Sequence, residues 1–422
     1  MERTKEALRR FYTDHLTEVV LPYWLARSDE ELGGFYTCID PTGATLLSTD
    51  KYVWSQGRCV WMYSRLAADP LVRLSGETRE RCRLLAQKGA AFLEGHCLTE
   101  GPRAVFLVDR QGRPKEAFPG AGLCPSAFAD CFAAMGLAAW AELCRWPEPM
   151  DASWGLFQNA VKLAEEGRFP TAPDQLPDGW RSQAVSMILV NTAAEVDRAL
   201  RALGETEKAA WARDAARRAA RRVLDDFLQP EGVLLECLSA DGQPLDTLYG
   251  RHINPGHTCE CMWFLLEEAD WLGLSAEDRR RAMDACLATT ALAWDGEFGG
   301  MMYYLDREGG APKGRRYAPE QELADAAVRD WSNKLWWPQL EALYAHLVCV
   351  QAGGGEAHRD WFRKLHDYTF STFPNPDKQV GEWLQLRDRA GRPLAGPVGG
   401  RLPVKDPYHI TRALYLLARR LA

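Results

Sequence analysis

No apolar stretch in the 422 residues approaches the roughly 20 residues of a membrane span. Met1-Glu2-Arg3-Thr4-Lys5 opens a polar, helix-forming segment without the apolar core of a signal peptide. Positive charge is not in excess: the net charge is −7 and the pI about 5.7, which argues against a nucleic-acid surface. There is no Gly-x-Gly-x-x-Gly after a strand, no phosphate loop and no nucleophile elbow. No Pro/Ser-rich linker divides the chain, so residues 1–422 are expected to form one domain. The 12 cysteines lack zinc spacing, because Cys259 and Cys261 have no second ligand pair at a suitable distance. Many, such as Cys131, Cys144 and Cys261, sit in apolar helical runs. They read as reduced, buried thiols of a cytoplasmic protein with no metal.

What is present is core-forming sequence and tryptophan. The hydrophobic content of 46% is ample for a large core, and 16 Trp fit either that core or a pocket that stacks sugars. Residues 3–27 carry Leu8, Phe11, Tyr12, Leu16, Val19 and Val20 on one helical face. A strand–turn–return signature then follows at Gly33-Gly34-Phe35 through Gly43, and recurs around Asp109, Asp241, Asp306 and Asp388. Asp40 and Asp109 lie 69 residues apart, Asp241 and Asp306 65, and Asp109 and Asp241 132, about two units. The step from Asp306 to Asp388 is longer at 82, with an insertion expected near 309–316. One copy is missing near 165–180, where only loop chemistry stands. A period near 65–70 residues, with two helix-length segments and a hairpin per unit, is an internal repeat. Six units fill the chain. They predict an all-α toroid of six helical hairpins, an (α/α)6 barrel, with short β-hairpins at one end. An open solenoid would need polar capping helices, and the apolar segment 410–421 favours closure.

The stretch Gly250-Arg251-His252-Ile253-Asn254-Pro255-Gly256-His257-Thr258-Cys259-Glu260 reads as a loop entering a helix. Asn254 is the N-cap, Pro255 the first helical residue, and Glu260 stands one turn past His257. Amide dipoles at a helix start disfavour a positive imidazole, so His257 is expected to be neutral near pH 7. The construction recurs at Lys405-Asp406-Pro407-Tyr408-His409, with Asp406 as N-cap. Either histidine alone reads more simply as part of its own helix cap. The repeated Asn/Asp-Pro-x-His pattern favours two bases facing one pocket. Arg58 interrupts a buried aromatic run, where it must bind a ligand or an anionic side chain. Gly57 beside it costs about 1 kcal/mol relative to Ala unless close packing requires it. A carboxylate pair in such a toroid would indicate glycoside hydrolysis; a histidine pair indicates proton transfer at carbon.

These motifs resemble the N-acylglucosamine 2-epimerase (renin-binding protein) family, over nearly the whole chain. The resemblance rests on Gly33-Gly34-Phe35, Lys51-Tyr52-x-Trp54-x-Gln56-Gly57-Arg58, Ala129-Asp130-Cys131-Phe132, Asn254-Pro255-Gly256-His257-x-x-Glu260, Lys334-Leu335-Trp336-Trp337-Pro338, Gly381-Glu382-Trp383 and His409-x-x-Arg412. It implies C2 epimerisation or aldose–ketose isomerisation of an open-chain sugar, without metal or redox cofactor. It implies His257 and His409 as catalytic residues, with Arg58, Asn191, Glu260, Trp337 and Glu341 around the substrate. Members acting on cellobiose or mannose carry a further histidine where this chain has Asn191; the Asn form resembles the N-acylglucosamine branch. That branch interconverts N-acetylglucosamine and N-acetylmannosamine. Gln339 departs from the His that mammalian-like members carry after Trp-Trp-Pro. Some members respond to ATP, for which this sequence offers no loop. A small-molecule sugar is the expected partner; a homodimer is left open. A mannose- or disaccharide-specific relative and a non-catalytic sugar-binding barrel are the alternatives, and the paired histidines count against the last.

Overall fold

The computed structural model describes residues 4–394, 403–405 and 407–422. Among them, twelve principal helices alternate between two concentric rings. The outer ring is α1 (Lys5–Asp14, carried on through a π-turn at His15–Val20 and Leu21–Leu25), α3 (Gly76–Phe92), α5 (Glu148–Glu165), α7 (Thr206–Arg222), α9 (Ala276–Ala293) and α11 (Gly355–Thr372). The inner ring is α2 (Val53–Ala68), α4 (Ala127–Cys144), α6 (Gln183–Leu203), α8 (Pro255–Glu267), α10 (Trp336–Gln351) and α12 (Tyr408–Arg420). Successive inner helices pack on one another, and α12 returns to pack on both α1 and α2. The ring is therefore closed, the (α/α)6 barrel that the repeat predicts.

Composition sorts the helices between rings. On α7 the alanines 209, 212, 215, 216, 219 and 220 are buried while its Arg and Lys face outward, the one-sided pattern of an outer helix. α4 is apolar on all sides and buried along most of its length. It is long and apolar enough to cross a bilayer by composition, which the sequence reading did not anticipate; here it packs between α2 and α6. Gly57 earns its place by close approach: a Cβ there would stand 2.2 Å from the Phe132 carbonyl oxygen on α4. All 12 cysteines are free thiols, and most are buried.

The β-structure differs from expectation in its pairing. The turns do close locally, through single bridges such as Val108↔Pro114, Leu238↔Pro244 and Arg387↔Pro393. The two-residue strands, however, pair with the segments that lead into inner helices. β1 (Lys51–Tyr52) pairs with β2 (Leu107–Val108), and β3 (Arg181–Ser182) with β4 (Cys237–Leu238). β5 (His252–Ile253) pairs with β6 (Leu305–Asp306), and β7 (Lys334–Leu335) with β8 (Leu386–Arg387). Each turn thus finds partners for backbone groups that would otherwise stay unpaired. Those four turns join four inner-helix starts (α2, α6, α8 and α10) at one end of the barrel.

Two of these junctions share a buried clamp. Lys51 is fully buried, and its Nζ donates to Asp29 at 3.1 Å and to the Gly33 carbonyl at 2.7 Å. Gln56 accepts from Phe35 N–H at 2.7 Å and donates to the Phe35 carbonyl at 3.0 Å. In the second copy Lys334 donates to Asp295 at 3.1 Å, and Gln339 brackets the backbone of Met301 at 2.9 and 2.8 Å. Gln339 therefore belongs to the scaffold, and its departure from the family pattern falls outside the cavity lining described below.

The missing repeat near 165–180 is a loop that reaches over the mouth, with Ala172-Pro173 cis. The segment 309–316, where an insertion was expected, is turn and loop; a helix, Gln321–Asp330, follows it, and Glu320 before that helix accepts from Thr247 Oγ1 at 2.6 Å and Tyr249 N–H at 3.1 Å. We propose that the closed ring folds as one unit, because its last inner helix is buried against its first two helices. Limited proteolysis should cut only in the loops, leaving a nicked chain that migrates as the intact barrel. Two separately folded fragments would contradict this.

Candidate active site

A cavity of about 270 Å³ opens among the helix starts, lined by Arg58, Asn191, His257, Glu260, Trp337 and His409, all six anticipated from sequence, and by Glu236, Asp174 and Arg412. Glu341 lies directly behind, 2% exposed. The opposite wall is apolar: Phe128, Phe132, Pro173, Leu176, Met187 and Ile188. A second cavity of about 310 Å³ lies toward the C-terminal ends of the inner helices, but its Arg65 is already paired with Glu142 and Glu195 and its Arg198 with Glu195. The histidines make the first cavity the candidate site.

Asn254 caps α8 as expected, its Oδ1 accepting from Gly256 N–H at 3.1 Å and His257 N–H at 3.4 Å. Gly256 leaves room for an indole: a Cβ there would stand 2.3 Å from the Trp337 ring. The indole contacts both imidazoles, 5.3 Å from His257 and 5.4 Å from His409 by ring centroids. At α12 the cap residue is Pro407, which makes no side-chain cap bond; Asp406, expected there, lies outside the described residues. His409 consequently stands at the second helical position rather than the third.

Both imidazoles bind a buried carboxylate through Nδ1. His257 Nδ1 lies 3.0 Å from Glu236 Oε2, and His409 Nδ1 lies 2.7 Å from Glu341 Oε1. A carboxylate accepts only, so each ring presents Nδ1–H to it and keeps Nε2 to exchange protons. The helix-start dipole that favours a neutral His257 meets an opposing pull from Glu236. Burial pushes its pKa down, but Glu236 and, more weakly, Glu260 and Asp174 outweigh burial and hold it above the ordinary histidine value. A helix terminus contributes about 0.3–1 kcal/mol, and a buried ion pair in hydrogen-bond contact outweighs that.

Arg412 organises the other half. Its Nη2 donates to Glu341 Oε1 at 2.7 Å and to Glu260 Oε1, and its Nη1 donates to Tyr408 OH at 3.2 Å. Trp263 Nε1 donates to Glu341 Oε2 at 2.8 Å. Burial raises the Glu341 pKa, but the Arg412 charge and the His409 hydrogen bond prevail and hold it well below the carboxylate range. Glu260, Glu341 and His409 place donor atoms within 4.8 Å of one another, a spacing a metal could use among the described residues. The Arg412 guanidinium already lies against both carboxylates and supplies the positive charge they require. Arg58 rests half-buried at the cavity wall, its guanidinium 4.0 Å from the Phe132 ring centroid and 5.0 Å from that of Tyr408. Asn191 forms the floor, its Nδ2 3.6 Å from Met135 Sδ.

Sequence reasoning omitted Glu236, Arg412 and Trp263 from the site. Two had a signal. Glu236 interrupts the apolar run Leu234-Leu235-Glu236-Cys237-Leu238, and Arg412 interrupts the last apolar helix, as Arg58 does its own. Arg412→Met would leave Glu260 and Glu341 buried without their cation. Thermal and urea unfolding should show a loss of about 3–5 kcal/mol, with Arg412→Lys intermediate because an ammonium keeps the charge but lacks the planar fork that reaches the carboxylates and Tyr408 together. A Met variant as stable as the parent would refute the role.

The family model described as N-acylglucosamine 2-epimerase (GlcNAc 2-epimerase) matches residues 34–413. The chain is 30% identical to the N-acylglucosamine 2-epimerase of Bos taurus, over 100% of this chain and 93% of that protein. It is 29% identical to that of Homo sapiens, over 100% of this chain and 92% of that protein. Among solved structures, cellobiose 2-epimerase from Bacillus thermoamylovorans B4167 superposes with a TM-score of 0.77 at 15% identity, covering 98% of this chain and 100% of that one. A D-mannose isomerase superposes with a TM-score of 0.72 at 16% identity, covering 97% of each chain. At such identities the solved structures establish the shared barrel, while the full-length sequence matches carry the kinship. This chain belongs to the N-acylglucosamine 2-epimerase family.

Proposed function

We propose that the protein interconverts N-acetyl-D-glucosamine and N-acetyl-D-mannosamine by moving a proton at C2 of the open-chain sugar. The observation that carries this reading is the pair of imidazoles on one cavity, both in contact with the Trp337 indole and each with Nδ1 on a buried carboxylate. The C2 hydrogen is acidified by the neighbouring aldehyde. One neutral imidazole removes it, and the electron pair moves into an enolate whose negative oxygen is O1. The other imidazole, protonated, delivers its proton to the opposite face of C2. One C–H bond breaks and one forms, and the histidine pair carries one proton before and after. Arg58 is suited to stabilise the enolate oxygen, Glu260 and Asn191 to bind hydroxyl or amide groups, and the apolar wall to receive the acyl methyl.

The reaction is tested by NMR of N-acetylmannosamine with the enzyme in heavy water. N-Acetylglucosamine carrying deuterium at C2 should accumulate. Unchanged sugar, with conversion of mannose or cellobiose instead, would move the substrate to another branch of the family. His257→Asn and His409→Asn should each lower interconversion by at least about 10²-fold while the fold survives, since a general base contributes 10²–10⁴-fold. One variant should still exchange the C2 hydrogen of one epimer with solvent, and the other variant that of the second epimer. Substantial interconversion by either variant would refute the two-base scheme.

Metal and nicotinamide should be dispensable, because Arg412 supplies the cation among the only grouped donors found in the described residues. Activity should survive exhaustive chelation and dialysis. Loss on chelation that a single metal restores would overturn this.

A further inference from the structure

We propose that Glu236 is a positioning residue of the reaction: it fixes the tautomer of His257 and makes His257 the member of the histidine pair that holds the enzyme's working proton between turnovers. This rests on the reading of His257 and His409 as the two bases.

The two imidazoles are held by unlike carboxylates. Glu236 stands just before β4, 5% exposed, with Oε2 3.0 Å from His257 Nδ1. Its other neighbour is a neutral amide. Gln183, fully buried at the start of α6, donates Nε2 to both Glu236 oxygens at 3.2 and 3.2 Å. The Gln183 backbone N–H also donates to the Glu236 carbonyl at 3.1 Å. The carboxylate is thus fixed in place by main chain and side chain, yet among the described residues no Lys or Arg side chain is paired with it. Glu341 differs. The oxygen that meets His409 also accepts from Arg412 Nη2 at 2.7 Å, so a permanent positive charge sits on the same atom. An imidazolium at His257 meets a carboxylate whose charge is undivided; one at His409 shares its carboxylate with a guanidinium.

The remaining groups around His257 act in the same direction or are already spent. Glu260, on its own helix, is paired with Arg412, and Asp174 approaches from the mouth loop. Both favour the imidazolium. His252 on β5 is buried and disfavours a second positive charge nearby, and Arg58 faces the cavity from α2. Trp337, from α10, is neutral. Burial opposes protonation, and the balance still lies above the ordinary histidine value.

The consequence is kinetic. After each turnover the proton has moved from one imidazole to the other, and the free enzyme must return it through solvent before the same epimer can react again. Glu236 biases that return toward His257-H⁺. Loss of the pair's one proton then sets the alkaline limb of the activity profile.

Glu236→Gln separates charge from shape, because a glutamine oxygen can still accept from Nδ1–H. The free enzyme, labelled with ¹⁵N-histidine, is titrated by NMR without sugar. The parent should show His257 as the Nδ1–H tautomer with a midpoint above the ordinary range. Glu236→Gln should keep the tautomer and lower the midpoint by about one pH unit or more. Glu236→Leu should lose the tautomer preference. In the activity profile, the alkaline limb of kcat/KM should move down by the same amount in both directions, since the overall equilibrium constant ties the directions together. Glu236→Asp keeps the charge, so its limb should stay while kcat falls. A His257 midpoint unmoved in Glu236→Gln, or a parent His257 in the Nε2–H form, would overturn the proposal. A purely structural role would lower kcat at every pH and leave the limb in place. The NMR result is independent of which sugar the enzyme accepts. Failure of the substrate assignment is therefore distinguishable from failure of this one.

Discussion

Arg412 is a charge that the barrel cannot leave unpaired. It is 2% exposed, and its carboxylate partners come from two other inner helices: Glu260 from α8 and Glu341 from α10. Removing a guanidinium from water is tolerable only where such partners already wait. The helix that carries Arg412 is also the helix that closes the ring, packing against α1, α2 and α10. Closure and completion of the site are thus one event. When α12 docks, His409 meets Glu341, Arg412 neutralises both glutamates, and the Trp337 indole receives its second imidazole neighbour.

The repeat explains how chemistry was placed on a scaffold. Gln56 and Gln339 each stand five residues after the first residue of a strand, β1 and β7, and clamp the backbone of a glycine turn. His257 stands at the same distance from the first residue of β5. One position in the unit serves as a buttress twice and once carries the imidazole proposed as a base. In the same way Arg58, Glu341 and Arg412 each stand seven residues after a lysine, Lys51, Lys334 and Lys405, at successive helix starts. Those lysines are buried, and each is paired with a carboxylate: Asp29, Asp295 and Glu382. The buttresses fix where the inner helices begin, and the residues that follow inherit that precision.

Much of this was legible in the chain. The spacing of the strand–turn signals gave six units and a closed ring, because a period is a property of sequence that folding preserves. The Asn254-Pro255 cap fixed the start of α8 and so the outlook of His257. The pairing of the strands was not legible. Each ladder joins residues more than 50 positions apart and is only two residues long, too short to leave a periodic signal. The pull of Glu236 on His257 went unread for a related reason. A helix dipole is local and visible in sequence, whereas Glu236 arrives from 21 residues away and only folding reveals the contact. Gln339 shows the opposite case: it stood out in the sequence as a departure from the family pattern, and the structure has it bound to the backbone of Met301.

The central claim is geometric, that C2 of an open-chain sugar lies between two imidazoles that address its opposite faces. The direct measurement is a crystal structure with N-acetylmannosaminitol, the open-chain alcohol that cannot lose its C2 proton. The account expects C2 between Nε2 of His257 and Nε2 of His409, with O1 toward Arg58. C2 with both imidazoles on one face, or an alditol seated away from either histidine, would contradict it.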